Sequence, residues 1–326
     1  VYCLNPHGTD TGRLASKEHH FWCGLQIQNI KRDEDDDEAV SVKTMLVASA
    51  GFYLGEADYE QAEARDTAYL SGDTSLISAV DCGKDFHSLN AASFFGVPYE
   101  DIYQDLEYID PDGTVHKQGT KNKPLRNLSK RVNHGANYNM GAGVLLDTMG
   151  IRNVIKAKQL LSLPVSWSLL QVCAYLLSRF DATYPVVRGD YQEYIKRCVR
   201  QTKLLVGPTG WTRYCFGDPT NNKRDLNSYV AHPSQSLNGM VLNKAWWRIF
   251  TQVALVERRD FRLFAQIHDS ILFGYRKGRE DLAYKVKELM QIPIQVTDPY
   301  GITRTLLVPS ALKGEGTIWA DLKDMR

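Results

Sequence analysis

The sequence predicts an α+β fold, a sheet-based domain carrying an inserted helical subdomain. Three observations predict it. Short apolar, strand-like runs lie toward both ends of the chain. The middle, from Glu60 to about Val199, is patterned for helices. Two aspartates, Asp58 and Asp269, each close a strand-like run in these distant parts, so a shared sheet would bring them together.

The elements follow in order. The first forty-odd residues read as loop and short strands, rich in Gly, His and charge, and the acidic run Asp33 to Glu38 reads as a solvated loop. Residues 44–59 read as strands leading through Phe52-Tyr53-Leu54 into Asp58. The helical middle is broken at Gly72, at Gly96-Val97-Pro98, at the turn Asp110-Pro111-Asp112-Gly113, at Gly141 to Gly143 and at Pro164. Ser166 to Arg200 forms a long helical region with a break near Tyr184-Pro185. Leu204 to Cys215 reads as a hairpin around Gly207-Pro208-Thr209-Gly210. A strong helix is expected from Pro233 to Arg258. Arg262 to Ile267 and Ile271 to Tyr275 flank a polar tip, His268-Asp269-Ser270. A helix near 279–290 and closing strands, Ile294 to Val296 and Thr305 to Val308, finish the chain.

At 326 residues the chain is long enough for a large core and two subdomains. Its 43% apolar and 24% charged content is that of a soluble globular protein. The net charge of +1 neither favours nor excludes a nucleic-acid partner, because a basic groove can coexist with an acidic outer face. Cys3, Cys23, Cys82, Cys173, Cys198 and Cys215 form no C-x-x-C pair, which points to reduced thiols and a cytoplasmic protein. No apolar stretch is long enough to span a membrane. The chain opens on Val1, as a processed or excised piece of a longer protein would.

Two constellations carry chemistry. Carboxylates at strand ends, such as Asp58 and Asp269, suit hard divalent cations. Two such ions about 3.5–4 Å apart serve in-line phosphoryl displacement. The structural alternative is a helix N-cap and a hairpin-turn Asp. The second constellation is Arg126, Lys130, His134 and Tyr138, spaced by four. Each step turns roughly 40° past a full circle, so the four form a slowly winding helical stripe. Cations one turn apart can hold a polyphosphate, and an aromatic farther on can meet a flat ring. An exposed basic helix face is the plainer alternative. His87 is a candidate third phosphate contact. Arg13 near the N-terminus, with Gln28, Asn29 and Gln235, supplies a guanidinium fork and amides suited to the minor groove and backbone of a nucleic acid.

Three segments together resemble the A-family DNA polymerases. Asp58-Tyr59-Glu60-Gln61-Ala62-Glu63-Ala64-Arg65, followed by Leu70-Ser71-Gly72-Asp73, is similar to the family's first palm motif, D-Y-S-Q-I-E-L-R and then L-S-G-D. Arg126 to Met140 is similar to its fingers helix, and Gln266-Ile267-His268-Asp269 to its second palm motif, Q-V-H-D-E. Lesser matches at Thr11-Gly12-Arg13-Leu14, Gln28-Asn29-Ile30, Asp85-Phe86-His87, Pro233-x-Gln235 and Gly314 to Trp319 run in the family's order. The resemblance covers nearly the whole chain.

It implies a polymerase right hand: an antiparallel-sheet palm, 1–65 and 226–326, with inserted fingers and connecting helices, 66–225. It implies a template-directed DNA polymerase that joins dNTPs to a primer 3′-hydroxyl with two Mg2+ ions, Mn2+ being a possible substitute. Asp58, Asp269 and the Tyr59 carbonyl become the metal ligands. Arg126, Lys130 and His87 become triphosphate contacts, with Lys130 also protonating the pyrophosphate. Gln61, Glu63, His134 and Tyr138 fall at the nucleotide, Glu63 crowding the sugar 2′ position. Arg13, Gln28, Asn29, Gln235 and His268 fall on primer–template DNA. The family's thumb and exonuclease precede the palm, so the resemblance implies that a longer protein or another chain supplies them.

Four positions depart from the family pattern: Ser270 for Glu, His134 for Phe or Tyr, Asn139 for Gly, and Ala62 with Ala64 for bulkier residues. His-Asp-Ser also occurs in single-subunit RNA polymerases, which makes that class an alternative; Glu63 and Leu70-Ser71-Gly72-Asp73 favour the DNA enzymes. A non-catalytic nucleic-acid-binding module is the other alternative, and retention of both aspartates argues against it.

Overall fold

The computed structural model describes residues 3–5, 9–17, 42–109, 115–116, 118–217 and 222–325. Gln28 and Asn29 lie outside the described residues. The architecture is the expected α+β one. Its main sheet has five antiparallel strands in the order Phe261–Ile267, Ser270–Arg276, Phe52–Tyr59, Ser310–Gly316 and Lys323–Asp324.

Phe52–Tyr59 is the central strand, and its alternation sets the two faces of the sheet. Ala57 and Tyr59 point into a large apolar core with Ile271, Phe273 and Leu312. Leu54 points the other way, onto Leu272, Ile267 and Trp319. Gly55 is required by close packing: a β-carbon there would stand 2.5 Å from the Phe273 ring. The strand Phe261–Ile267 turns into Ser270–Arg276 through the two residues His268 and Asp269. His268 takes a left-handed conformation, φ 51°, the positive first position that tight hairpins need. Ser270 therefore belongs to the strand, not to the turn.

Helix Ala62–Ser71 begins at once after the central strand. Gln61 makes the change of direction in a left-handed conformation, and Gly72 ends the helix in another. Two more helices start on aspartates that accept a backbone N–H: Asp73 from Leu76, and Asp85 from Ser88. A second large core, built from Leu76, Phe86, Phe94, Leu128, Val132, Leu176 and Phe180, holds the helical region together.

Several boundaries differ from the sequence expectation. The strong late helix runs Lys223–Ile249, with Asn222 as its cap and Pro233 in its interior. Pro233 is tolerated as an interior residue rather than marking the helix start. Ile294–Thr297 and Thr303–Leu306 pair only with each other, while Ser310–Gly316 completes the sheet beside the central strand. The short 3-10 turn Val42–Met45 overlaps the start of the 44–59 stretch expected as strand. Cys82, Cys173, Cys198 and Cys215 are unpaired. Among the described residues no helix is long and apolar enough to cross a membrane.

Candidate active site

The sheet register brings the two aspartates together. Asp58 sits opposite Ser270, and the Tyr59 N–H donates to the Asp269 carbonyl at 3.2 Å. Asp58 is therefore placed by an interior strand and Asp269 by the hairpin tip beside it. Asn238 on the long late helix donates to Asp269 Oδ1 at 3.0 Å. Asp58 is not a helix N-cap here; Gln61 occupies that place.

An open cleft of about 1290 Å3 lies over this pair. Asp58, Tyr59, Gln61, Glu63 and Asp269 line its floor, and His87, Arg126, Lys130 and His134 line the facing wall. The helix Lys123–Asn137 makes that wall for a simple reason: its Leu125, Leu128, Val132 and Ala136 side is buried in the helical core, which turns the basic stripe outward.

The cations have different partners. Arg126 forms a two-pronged bond to Asp85, Nε to Oδ1 at 2.9 Å and Nη2 to Oδ2 at 2.8 Å. Burial works against the charge on Asp85, but Arg126 outweighs it and holds the carboxyl below its ordinary range. Burial, with the Arg126 and Lys130 charges, pushes the His87 imidazole down to about 3, against the opposing pull of Asp85. His87 is thus a neutral ring near neutral pH. A buried relay sets which nitrogen carries its proton. The Tyr184 hydroxyl donates to Asn90 Oδ1, Asn90 Nδ2 to Asn133 Oδ1 at 3.0 Å, and Asn133 Nδ2 to His87 Nδ1 at 3.2 Å. With Nδ1 accepting, the ring proton stays on Nε2.

A second cluster surrounds Glu63. Arg13 Nη2 lies 3.4 Å from Oε1 and His134 Nδ1 lies 3.4 Å from Oε2. Arg13 also reaches to 3.8 Å from Asp269. Burial opposes ionisation of Glu63, yet His134, Tyr138 and Arg13 together hold its carboxyl down at about 2. Tyr138 follows the last turn of the helix and packs edge-on against His134 at 4.5 Å. Its buried hydroxyl faces Glu63 and Gln235, just short of full hydrogen-bond geometry. Gln235 therefore stands behind the cleft wall, and His268 is exposed at the hairpin tip. Asn139 adopts φ 56°, a conformation Asn tolerates well, which accounts for its standing where the family has Gly.

Sequence reasoning gave no role to two carboxylates beside the cleft. Asp85 is the partner of Arg126. Asp66 is 1% exposed, and neither of its oxygens has a hydrogen-bond partner among the described residues. Burial raises its carboxyl well above the ordinary value, and the charges of Asp269 and Glu63 add to that. The signal was present: Ala62, Asp66 and Leu70 recur by four on one buried helix face.

Asp58 and Asp269 are oxygen donors of the kind hard cations take. Among the described residues no group of three or more His, Cys, Asp or Glu side chains could hold a metal ion. The site fits a cation that keeps water and substrate oxygens in its other positions, as Mg2+ does.

Residues 3–303 match the family model of DNA polymerase family A. The chain belongs to that family. Similar curated proteins include the thermostable DNA polymerase I of Thermus caldophilus, 26% identical over 309 residues, 90% of this chain and 31% of that protein. The thermostable DNA polymerase I of Thermus filiformis is 33% identical over 311 residues, again 90% and 31%. The DNA polymerase I of Mycobacterium tuberculosis is 25% identical over 309 residues, 89% and 28%. The chain thus spans about a third of the length of the curated relatives it matches. The POL domain of Pol1 from M. smegmatis, solved with DNA primer-template and dNTP, shares the fold with a TM-score of 0.71 and 22% identity, covering 98% of this chain and 47% of that one.

Proposed function

We propose that this chain is the palm and fingers of a DNA-directed DNA polymerase, with residues 1–65 and 226–326 as palm and 66–225 as fingers and connecting helices. The observation that carries this reading is the cleft itself. The two aspartates stand side by side at the sheet end, and Arg126, Lys130 and His87 line the same cleft. A triphosphate bridging the two groups would set its α-phosphate over the acids and its outer phosphates on the cations.

Asp58, Asp269 and the Tyr59 carbonyl would hold two divalent ions, Mg2+ or in its place Mn2+. When bound, these lower the pKa of the primer 3′-hydroxyl and neutralise charge growing on the phosphate. Arg126 would take phosphate oxygens as a fork by exchanging its Asp85 partner. His87 would donate from Nε2 as a neutral group. Lys130, which makes no hydrogen bond or ion pair among the described residues, would bind the outer phosphates and give a proton to the leaving pyrophosphate. Gln61 borders the same pocket. Glu63, fixed by Arg13 and His134, would stand against the sugar 2′ position and reject ribonucleotides by size. Tyr138 would face the nascent pair. Arg13, Gln235 and His268 would touch the primer–template, and Gln28 and Asn29 are assigned to the same DNA by their motif. Further grip on the duplex would come from a thumb or exonuclease region in the same longer protein or in another chain. The cytoplasm of a bacterium, or of a host cell if the protein is viral, is the proposed location.

The test is primer extension by Asp58→Asn and Asp269→Asn proteins, with DNA binding measured in parallel. Each is expected to abolish extension and leave primer–template affinity within about threefold, the acids acting in chemistry rather than in binding. Extension within tenfold of wild type in either variant would overturn the assignment.

A further inference from the structure

The family motif places a Glu directly after the second metal aspartate, where this chain has Ser270. A carboxylate is nevertheless present on that face of the sheet. Glu56 precedes Asp58 by two residues on the central strand, so both side chains leave the same face. The register sets Asp58 opposite Ser270 and Glu56 opposite Leu272. The Ser270 hydroxyl donates to Glu56 Oε1 at 2.9 Å and is shared with the Ile267 carbonyl at 3.0 Å. Trp319 Nε1 donates to Glu56 Oε2 at 2.9 Å. Ser270 and Trp319 are 4% and 3% exposed, so Glu56 is held from two buried donors among Leu54, Leu272 and Trp319.

A charged group among apolar neighbours is unfavourable unless something holds it. An apolar residue at position 56 would extend the Leu54, Leu272 and Trp319 cluster at no such cost. We infer that Glu56 is the third carboxylate of the catalytic face, relocated from position 270 to the neighbouring strand, and that it acts as a positioning residue through Ser270. Glu56 is set apart from the metal ligands by its bonding: both of its carboxylate oxygens are taken up by Ser270 and Trp319. It does two things. Its bond to Ser270 fixes the strand end that carries Asp269, and its negative charge, roughly 7 Å from Asp58 by strand spacing, favours cations at the acid pair. Ser270 is then the complement of Glu56 rather than a plain loss.

The inference rests on the proposed two-metal reading, and the test separates the two. Mn2+ binding to the full chain is measured by paramagnetic resonance, without substrate. Glu56→Gln keeps the size and is expected to weaken Mn2+ binding about tenfold, the scale of residues that support metal ligands. Glu56→Asp keeps the charge and should recover most of that loss. The exchanged pair, Glu56→Ser with Ser270→Glu, should bind Mn2+ within about threefold of wild type. If the exchanged protein does not fold, as judged by circular dichroism, the comparison of Gln with Asp at position 56 decides alone. Wild-type affinity in Glu56→Gln, or equal loss in the Gln and Asp variants, would overturn the inference. Asp58→Asn and Asp269→Asn serve as reference: unchanged Mn2+ binding in both would overturn the two-metal reading instead.

Discussion

The floor and the wall of the cleft are organised in different ways. On the floor, Asp58 and Asp269 owe their proximity to backbone pairing, through the register of the central strand and the turn at His268 and Asp269. On the wall, Arg126 is held by Asp85, and across the cleft His134 reaches to Glu63. The acids are preorganised by the sheet. Arg126, the fork among the wall's cations, rests on an internal partner, Asp85, which a phosphate would have to replace under the proposed function. Strand register cannot shift by one residue without turning every side chain to the other face, whereas an ion pair can exchange one anionic partner for another without moving the backbone.

Changes to the wall should therefore act on nucleotide capture. Arg126→Ala removes the fork and leaves Asp85 unpaired in the cleft. We expect kcat/KM for dNTP to fall by about 10²–10³-fold, and Arg126→Lys to restore little, because a point charge does not replace a bidentate fork. A loss below fivefold in steady-state primer extension would show that Arg126 stays with Asp85 during turnover.

Glu63 tests the link between floor and wall. Glu63→Ala should raise ribonucleotide use relative to deoxynucleotide by on the order of 10- to 100-fold, read as the ratio of kcat/KM values. His134→Tyr should change dideoxynucleotide acceptance severalfold; an unchanged ratio would mean that His134 does not face the sugar. Equal use of rNTPs and dNTPs by the wild-type chain would favour the RNA polymerase reading.

Asp66 gives the smallest effect, and one on stability. Its folded pKa lies above its ordinary 3.8. Between the two values the native state keeps a proton that the unfolded chain has lost, so stability falls as pH rises through that window. Asp66→Val should stabilise the protein by about 1–3 kcal/mol at pH 8, the usual cost of an unsatisfied buried polar group, and by less at pH 4. Denaturant melts at the two pH values measure this. An equal gain at both would show that Asp66 does not titrate between them.

Much of this was legible in the sequence, for identifiable reasons. Asp58, Asp269 and the Arg126–Tyr138 spacing lie in contiguous motifs, and the cleft contains most of the residues those motifs marked. The sheet was harder to read. Ser310–Gly316 buries Ser310, Leu312, Gly314 and Gly316, and such small residues leave little hydrophobic alternation to detect. Pro233 obscured the start of the long helix, because Pro favours the first turn and here occupies an interior position. The roles of Glu56, Asp66 and Asp85 were not legible, because they come from partners distant in the chain or from the lack of any.

Whether the chain is a polymerase is decided by single-nucleotide primer extension with the wild-type protein. Four reactions on one labelled primer–template each contain one dNTP, with and without Mg2+. The predicted result is that the nucleotide complementary to the template base is added, that incorporation disappears on chelation, and that it returns with Mg2+ or Mn2+. Stable primer–template binding with no Mg2+-dependent addition would contradict it and leave the chain a nucleic-acid-binding module on a polymerase fold.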